Sequence, residues 1–435
     1  WLQRSLRALD AALSRLGAPL LVLRGAPEAL LPDLARRIGA AAVLAGRRYD
    51  AGGRARDARV AAALAGAGGA QLRLFTSAVL REPAGFANGS GRPYAVYGPF
   101  ARAFTADWDP APPLPRPERL AAVAGAPSAA GDPLLGLYPG RGEPDWAAEF
   151  PTLWTPGEAG AGSRLARFLE APLGGYATAR NAPGIEGSSR LSPHLRWGEV
   201  SPRQVWHAAM DAAGGDRAAA RPFLGELLWR EFSLHTLWHR PELPERPLRP
   251  EFDRFPFQPD AALLRAWQRG RTGYPLVDAG MRQLWRLGWM HNRVRMVAAS
   301  LLVKQLLQPW GDGAAWFWDT LVDADLANNS ASWQWIAGSG VDAAPYFRVF
   351  NPVLQGEKFD PAGRYVRRFV PELAGLPDRW IHRPWEAPEG ALRAAGVTPG
   401  RDYPAPVIDA AAGRARALAA FAAMRDPAAV RGPAP

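Results

Sequence analysis

The chain has 435 residues, room for two or three domains, and 48% of them are apolar, enough for large cores. It carries 52 Lys and Arg against 41 Asp and Glu, a formal net charge of +11 that favours a polyanionic partner. The absence of cysteine excludes disulfides, thiolate metal sites and iron–sulfur clusters, and no metal site is expected. Codon bias accounts for the scarcity of lysine (Lys304 and Lys358 alone), but not for the positive excess itself. Apolar runs such as MVAASLLV are far shorter than the ~20 residues that span a bilayer, and no signal peptide is visible. The expectation is a cytoplasmic monomer with no membrane contact and no obligate protein partner.

In chain order, WLQRSLRALDAALSRLG reads as an amphipathic helix with Leu2, Leu6, Leu9, Leu13 and Leu16 on one stripe and Gly17 placed to end it. It starts mid-stream at Trp1, and an upstream segment is expected. APLLVLRG reads as a strand, EALLPDLARRIG as a helix, AAVLAG as a strand, DARVAAALAGAGG as a helix and AQLRLFTSAV as a strand. That alternation predicts a Rossmann-like α/β domain over 1–105, with helices on both faces of a parallel sheet. No GxGxxG follows a strand, so a dinucleotide fingerprint is not supported. DPAPPLPRPERL and GAPSAAGDPLLGLYPGRGEP are rich in Pro and Gly and predict a surface linker over 106–160. The pattern over 161–425 is helical, 14 of the 18 tryptophans lie from Trp197 onward, and 426–435 reads as a disordered tail. Within it SPRQ offers Ser201 as N-cap, Pro202 at the first helical position and Gln204 to close a capping box.

Several stretches carry more than structure. In GELLWREF, Glu226, Trp229 and Arg230 share one helical face, poor material for a core. In GWMHNRVRM, Asn292, Arg295 and Met296 share a face that suits a cavity, while Val294, Val297, Leu301 and Leu302 supply the core side. His291 reads as structural. EGSSRLSPHL places three serines and an arginine before a helix, a set that suits phosphate and equally an ordinary cap. DADLANNSASWQW packs two aspartates, two asparagines and two tryptophans into residues 323–335.

These stretches, with TGYPLVDAGMRQLWRLGWMHNRVRM and DAAPYFRVFNPVLQGEKFD, resemble the flavin-binding half of the DNA photolyase/cryptochrome family. The resemblance covers roughly 170–385 and is nearest to the class I cyclobutane pyrimidine dimer photolyases; YAVYGPF at 94–100 extends it weakly. It implies light-driven repair of ultraviolet-damaged DNA with FAD as cofactor, together with a second, antenna chromophore of deazaflavin or folate type, or none. Ser188, Ser189, Arg190, Leu191 and Ser192 would hold the diphosphate, with Tyr176 beside it. Asp323, Ala324 and Asp325 would line the polar edge of the flavin, Arg295 would neutralise Asp323, and Asn329 would face flavin N5. An amide there accepts a hydrogen bond from a protonated N5, whereas an aspartate at that place is a cryptochrome feature.

The same resemblance assigns Phe223, Glu226, Arg230 and Asn292 to the cofactor side. Trp229 and Trp335 match the indoles that line the dimer pocket, Glu226 the carboxyl on the lesion's polar edge, and Asn292 and Met296 the cyclobutane branch. Arg180, Arg230, Arg293, Arg348 and Gln355 would grip the phosphates and the lesion. Trp333 and Trp310 match the first two members of the family's photoreduction chain, whose third, surface tryptophan falls on Phe257 and breaks that route. Two other readings stand beside repair. One is a cryptochrome-type blue-light signalling flavoprotein. The other is a flavin-free helical DNA-binding protein, in which Asp323, Asp325 and Asn329 would lie buried without partners, at a cost.

Overall fold

The structure, a computed structural model, describes residues 1–67, 69–106, 108–121, 146–170, 172–346 and 348–426. Much of the expected linker, including GAPSAAGDPLLGLYPGRGEP, and all but the first residue of the expected tail lie outside the described residues. The chain divides into two compact units, Trp1–Leu173 with Ser189–Pro241, and Gly174–Ser188 with Glu242–Pro435. We propose domain boundaries at 105, 160 and 425.

The elements run α1 (Leu2–Arg15), α2 (Pro27–Arg37), β1 (Ala42–Gly46), α3 (Ala51–Gly66), β2 (Gln71–Phe75), α4 (Tyr97–Thr105), α5 (Phe150–Leu153) and α6 (Glu158–Glu170). Helix α7 (Pro172–Ala179) straddles the division, and α8 (Ser192–Trp197), α9 (Pro202–Ala212) and α10 (Arg217–His239) complete the first unit. The second holds α11 (Ala261–Gln268), α12 (Pro275–Leu287), α13 (Asn292–Ser300), α14 (Trp310–Thr320), α15 (Leu326–Ala337), α16 (Pro352–Phe359), α17 (Arg364–Phe369), α18 (Glu389–Ala394) and α19 (Ala410–Arg425).

In the first unit β1 and β2 pair in parallel, Val43 opposite Leu72 and Ala45 opposite Leu74. Helix α3 crosses between them from its cap at Asp50, whose carboxylate accepts the Gly53 N–H at 2.7 Å. Strand side chains alternate in direction, so Val43 and Leu72 join Ala35, Val60 and Leu64 in one apolar cluster. Leu44 and Phe75 remain 65% and 53% exposed. The helices expected on both faces of the sheet thus cover only one among the described residues. The strand expected at APLLVLRG does not form either, because an extended segment becomes a strand only with a ladder partner. The N–H of its Leu20 goes instead to the Asp10 carboxylate at 2.9 Å. Further along, Ser201 and Gln204 make the expected capping box at the start of α9.

In the second unit, α13 buries Val294 and Val297 completely and continues into a π-turn, Leu301–Gln305, that buries Leu301 and Leu302. Lys304 sits in that turn, 1% exposed, donating from Nζ to the Arg348 carbonyl at 3.0 Å. Burial, with the Arg348 charge nearby, pushes its ammonium down to about 7. A second buried group, Asp278, ties distant loops together. It accepts from the Thr272 N–H at 2.7 Å, the Thr272 hydroxyl at 2.6 Å, the Gly273 N–H at 3.0 Å and the Tyr403 hydroxyl at 2.5 Å. Gly273 is required there, since its φ is +79° and a Cβ would come within 2.4 Å of the Ala405 backbone.

Candidate functional site

In the first unit, α10 presents Glu226, Trp229 and Arg230 half-buried on one face, one turn beyond the buried Phe223. Phe223 packs on Phe168 with ring centroids 4.6 Å apart. Arg230 Nη1 donates to the Ala78 carbonyl. The cofactor and phosphate roles expected of Arg230 thus compete with a backbone tie to the 76–86 segment.

Ser189 to Ser192 lead into α8. Arg190 holds φ +51°, one of only two non-glycine residues with positive φ among those described. Leu191 follows in the right-handed region at φ −82°, ψ −7°. Such a left-then-right pair turns successive backbone N–H groups toward one side, a nest that binds anions. The conformation at Arg190 costs about 1–2 kcal/mol, strain of a kind that gathers at ligand sites. Leu191 is buried and anchors the turn, and the Ser192 side of it stays exposed.

In the second unit, Arg295 and Asp323 form the expected pair. Nη2 donates to the carboxylate at 2.8 Å, Nε donates to the Met290 carbonyl at 2.8 Å, and the aspartate side chain is 3% exposed. Ala324 follows half-buried. Asp325 caps α15, accepting from the Asn328 N–H at 2.9 Å and from its side-chain amide at 2.7 Å. Asn329 donates its own amide to the Ala314 carbonyl at 3.0 Å. These three polar residues therefore have internal partners, contrary to what the flavin-free reading was expected to leave.

Beside them, Trp333 is 2% exposed, with Phe317 at 5.0 Å and Trp267 at 6.2 Å between ring centroids. Gly313 makes room for it, since a Cβ there would lie 2.1 Å from Trp333. Trp310 opens α14 and is 7% exposed, while Phe257 packs on Phe255 at 4.7 Å, half-buried in another cluster. His291 caps α13 by accepting the Arg293 N–H at 3.2 Å, a structural role.

Arg293 lies across the Phe359 ring at 4.5 Å and donates to Asn181 at 2.6 Å. Burial and the neighbouring Arg180 hold its guanidinium below the usual arginine range. Two cations this close favour an anion between or beside them. Arg180 in turn lies 5.5 Å over the buried Tyr176 ring. Asn292 and Arg348 are exposed, and Ser188, Met296, Trp335 and Gln355 half-buried.

Sequence reasoning missed a buried polar run on α10. Glu231, 3% exposed, accepts from the Leu80 N–H at 2.9 Å and the Arg81 N–H at 3.4 Å. His235, 2% exposed, accepts the Tyr94 N–H at its Nε2 at 3.1 Å. Burial pushes Glu231 up to about 7 and His235 down to about 4, the second helped by the nearby His239 ring. Their spacing, i and i+4, was the available signal. Among the described residues, no group of three or more His, Cys, Asp or Glu could hold a metal, and no helix is long and apolar enough to cross a membrane.

Comparison with known proteins gives two family matches, the DNA photolyase model over residues 1–118 and the FAD binding domain of DNA photolyase over 223–423. A deoxyribodipyrimidine photo-lyase of Agrobacterium fabrum is 47% identical, across 98% of this chain and 88% of that protein. Cryptochrome-1 of Arabidopsis thaliana is 38% identical, across 98% of this chain and 63% of that one. The crystal structure of a bacterial class III photolyase from Agrobacterium tumefaciens superposes with a TM-score of 0.94 at 47% identity, over 98% of this chain and 88% of that one.

Proposed function

Since the chain belongs to the DNA photolyase/cryptochrome family, we propose that it is a deoxyribodipyrimidine photo-lyase, repairing cyclobutane pyrimidine dimers in DNA with light. The class I assignment loses its support, because a solved relative at 47% identity is described as a class III photolyase. We propose class III in its place.

FAD is the cofactor of the matched domain. The nest at Arg190 and Leu191, flanked by Ser189 and Ser192, suits a diphosphate. Ser188 to Ser192, with Tyr176, would hold that diphosphate. Arg295, Asp323, Ala324, Asp325 and Asn329 would meet the ring. When bound, FAD supplies a light-absorbing one-electron donor.

The residues of the chain bind and orient. Arg295 holds the Asp323 carboxylate in place. Asn329, with its NH2 given to the Ala314 carbonyl, offers its amide oxygen as acceptor to a protonated ring nitrogen. On the substrate side, photolyases extrude the damaged nucleotides from the duplex, and Trp229 and Trp335 would supply flat walls for them. Glu226 would meet the lesion's polar edge, with Asn292 and Met296 beside it. Arg180, Arg293, Arg348 and Gln355 would hold backbone phosphates, with contacts that weaken in salt and ignore sequence. Splitting a dimer into two pyrimidines leaves composition and net oxidation state unchanged, so no acid–base pair is demanded.

The observation that favours repair over signalling is Asn329 and the orientation of its amide. The test is recovery of thymine absorbance in ultraviolet-damaged oligo(dT), with reductant, in blue light and in the dark. Recovery in light alone, lost in Trp229→Ala, supports the reading. Bound FAD without recovery would favour the signalling alternative.

A further inference from the structure

Trp229 is held by more than its own helix. Tyr97, the first residue of α4, lies face to face with it, ring centroids 3.6 Å apart and planes within 6°. The tyrosine hydroxyl donates to the Gly225 carbonyl at 2.9 Å, one turn before Trp229 on α10. Phe232, one turn after, meets both rings edge-on, at 6.0 Å from each. Behind it the buried Phe100 of α4 stands 5.2 Å away. Tyr97 is therefore fixed at its hydroxyl, its edge and its face, and Trp229 inherits that rigidity.

A half-buried indole on a helix would otherwise exchange rotamers, and a ligand stacking on it would have to order it first. With one face covered by Tyr97, the ring is already planar-clamped and its other face keeps one direction. We propose that Tyr97 is a positioning residue for the indole that stacks on the damaged bases. The helix that follows the small sheet then takes part in substrate selection. This rests on the reading of Trp229 as a wall of the dimer pocket.

The test compares binding of damaged and undamaged oligo(dT) by flavin-loaded protein carrying Tyr97→Met, which fills similar volume without a flat ring. An aromatic pair of this kind is worth enough to weaken damaged-DNA binding by about three- to tenfold. Undamaged binding and flavin content should hold. Tyr97→Phe keeps the stack and should recover binding to within about twofold, a rescue that a purely structural role for the hydroxyl would not give. If Tyr97→Met fails to retain flavin, Tyr97→Leu supplies a second non-planar side chain. An unchanged ratio of damaged to undamaged affinity in Met or Leu, with Trp229→Ala losing it, overturns the role of Tyr97 and leaves the pocket reading intact. An unchanged ratio in Trp229→Ala itself overturns both.

Discussion

The Arg295 guanidinium spans the Asp323 carboxylate and the Met290 carbonyl, 2.8 Å from each, so one cation closes the start of α13 onto the segment that opens α15. Removing it would leave a buried carboxylate with its strongest partner gone. Arg295→Leu should cost about 3 kcal/mol in thermal unfolding of the apoprotein and lower the flavin absorbance of the purified protein. Arg295→Lys keeps the charge but cannot reach both acceptors in one plane, and should fall between. Unchanged stability and flavin content in Arg295→Leu would show that the pair is ornamental.

Glu231 and His235 oppose each other in pH. His235 is held neutral, so its contribution is complete above the unfolded value near 6.5 and is lost as pH falls toward about 4. Glu231 is raised, so its contribution is complete below about 4.5 and is lost as pH rises through about 7. Between about pH 4.5 and 6.5 the two slopes offset, and wild-type melting temperature should vary little from this source. Glu231→Gln should uncover the acid-side loss, about 2 kcal/mol between pH 6.5 and 5. His235→Phe should do the reverse and lose stability as pH rises. Parallel pH profiles for wild type and both variants would refute the opposition.

Gly313 leaves no room beside Trp333. Gly313→Ala should cost about 2 kcal/mol and tilt the indole. Light-driven reduction of bound flavin, followed by its absorbance under anaerobic illumination, should slow, while repair with chemically reduced flavin should fall less. Equal loss of both would mean that the residue serves only packing.

Local patterns were legible where the chemistry is local. Ser201 and Gln204 marked a helix start because a capping box closes within four residues. The Arg295–Asp323 pair followed from the family resemblance rather than from spacing, since its members lie on separate elements. What stayed hidden depends on remote partners. Leu20 would have been a strand residue with a ladder beside it, and in its absence Asp10 takes the N–H. The competing tie from Arg230 to Ala78 and the stack of Tyr97 on Trp229 bring together residues far apart in the chain, which periodicity cannot register.

Asn329 and Trp333 both end on α14, one at the carbonyl of Ala314 and the other against the bare Cα of Gly313. That carbonyl acts as a filter on what residue 329 can become. An aspartate has no hydrogen to offer it unless protonated, so Asn329→Asp would set two acceptors against each other. If residue 329 faces the flavin as proposed, exchanging its amide for an acid would call for a shift of α14 or a proton kept on the new acid. Such an exchange would be felt first at a backbone atom of the neighbouring helix, beyond the reach of residue 329 itself.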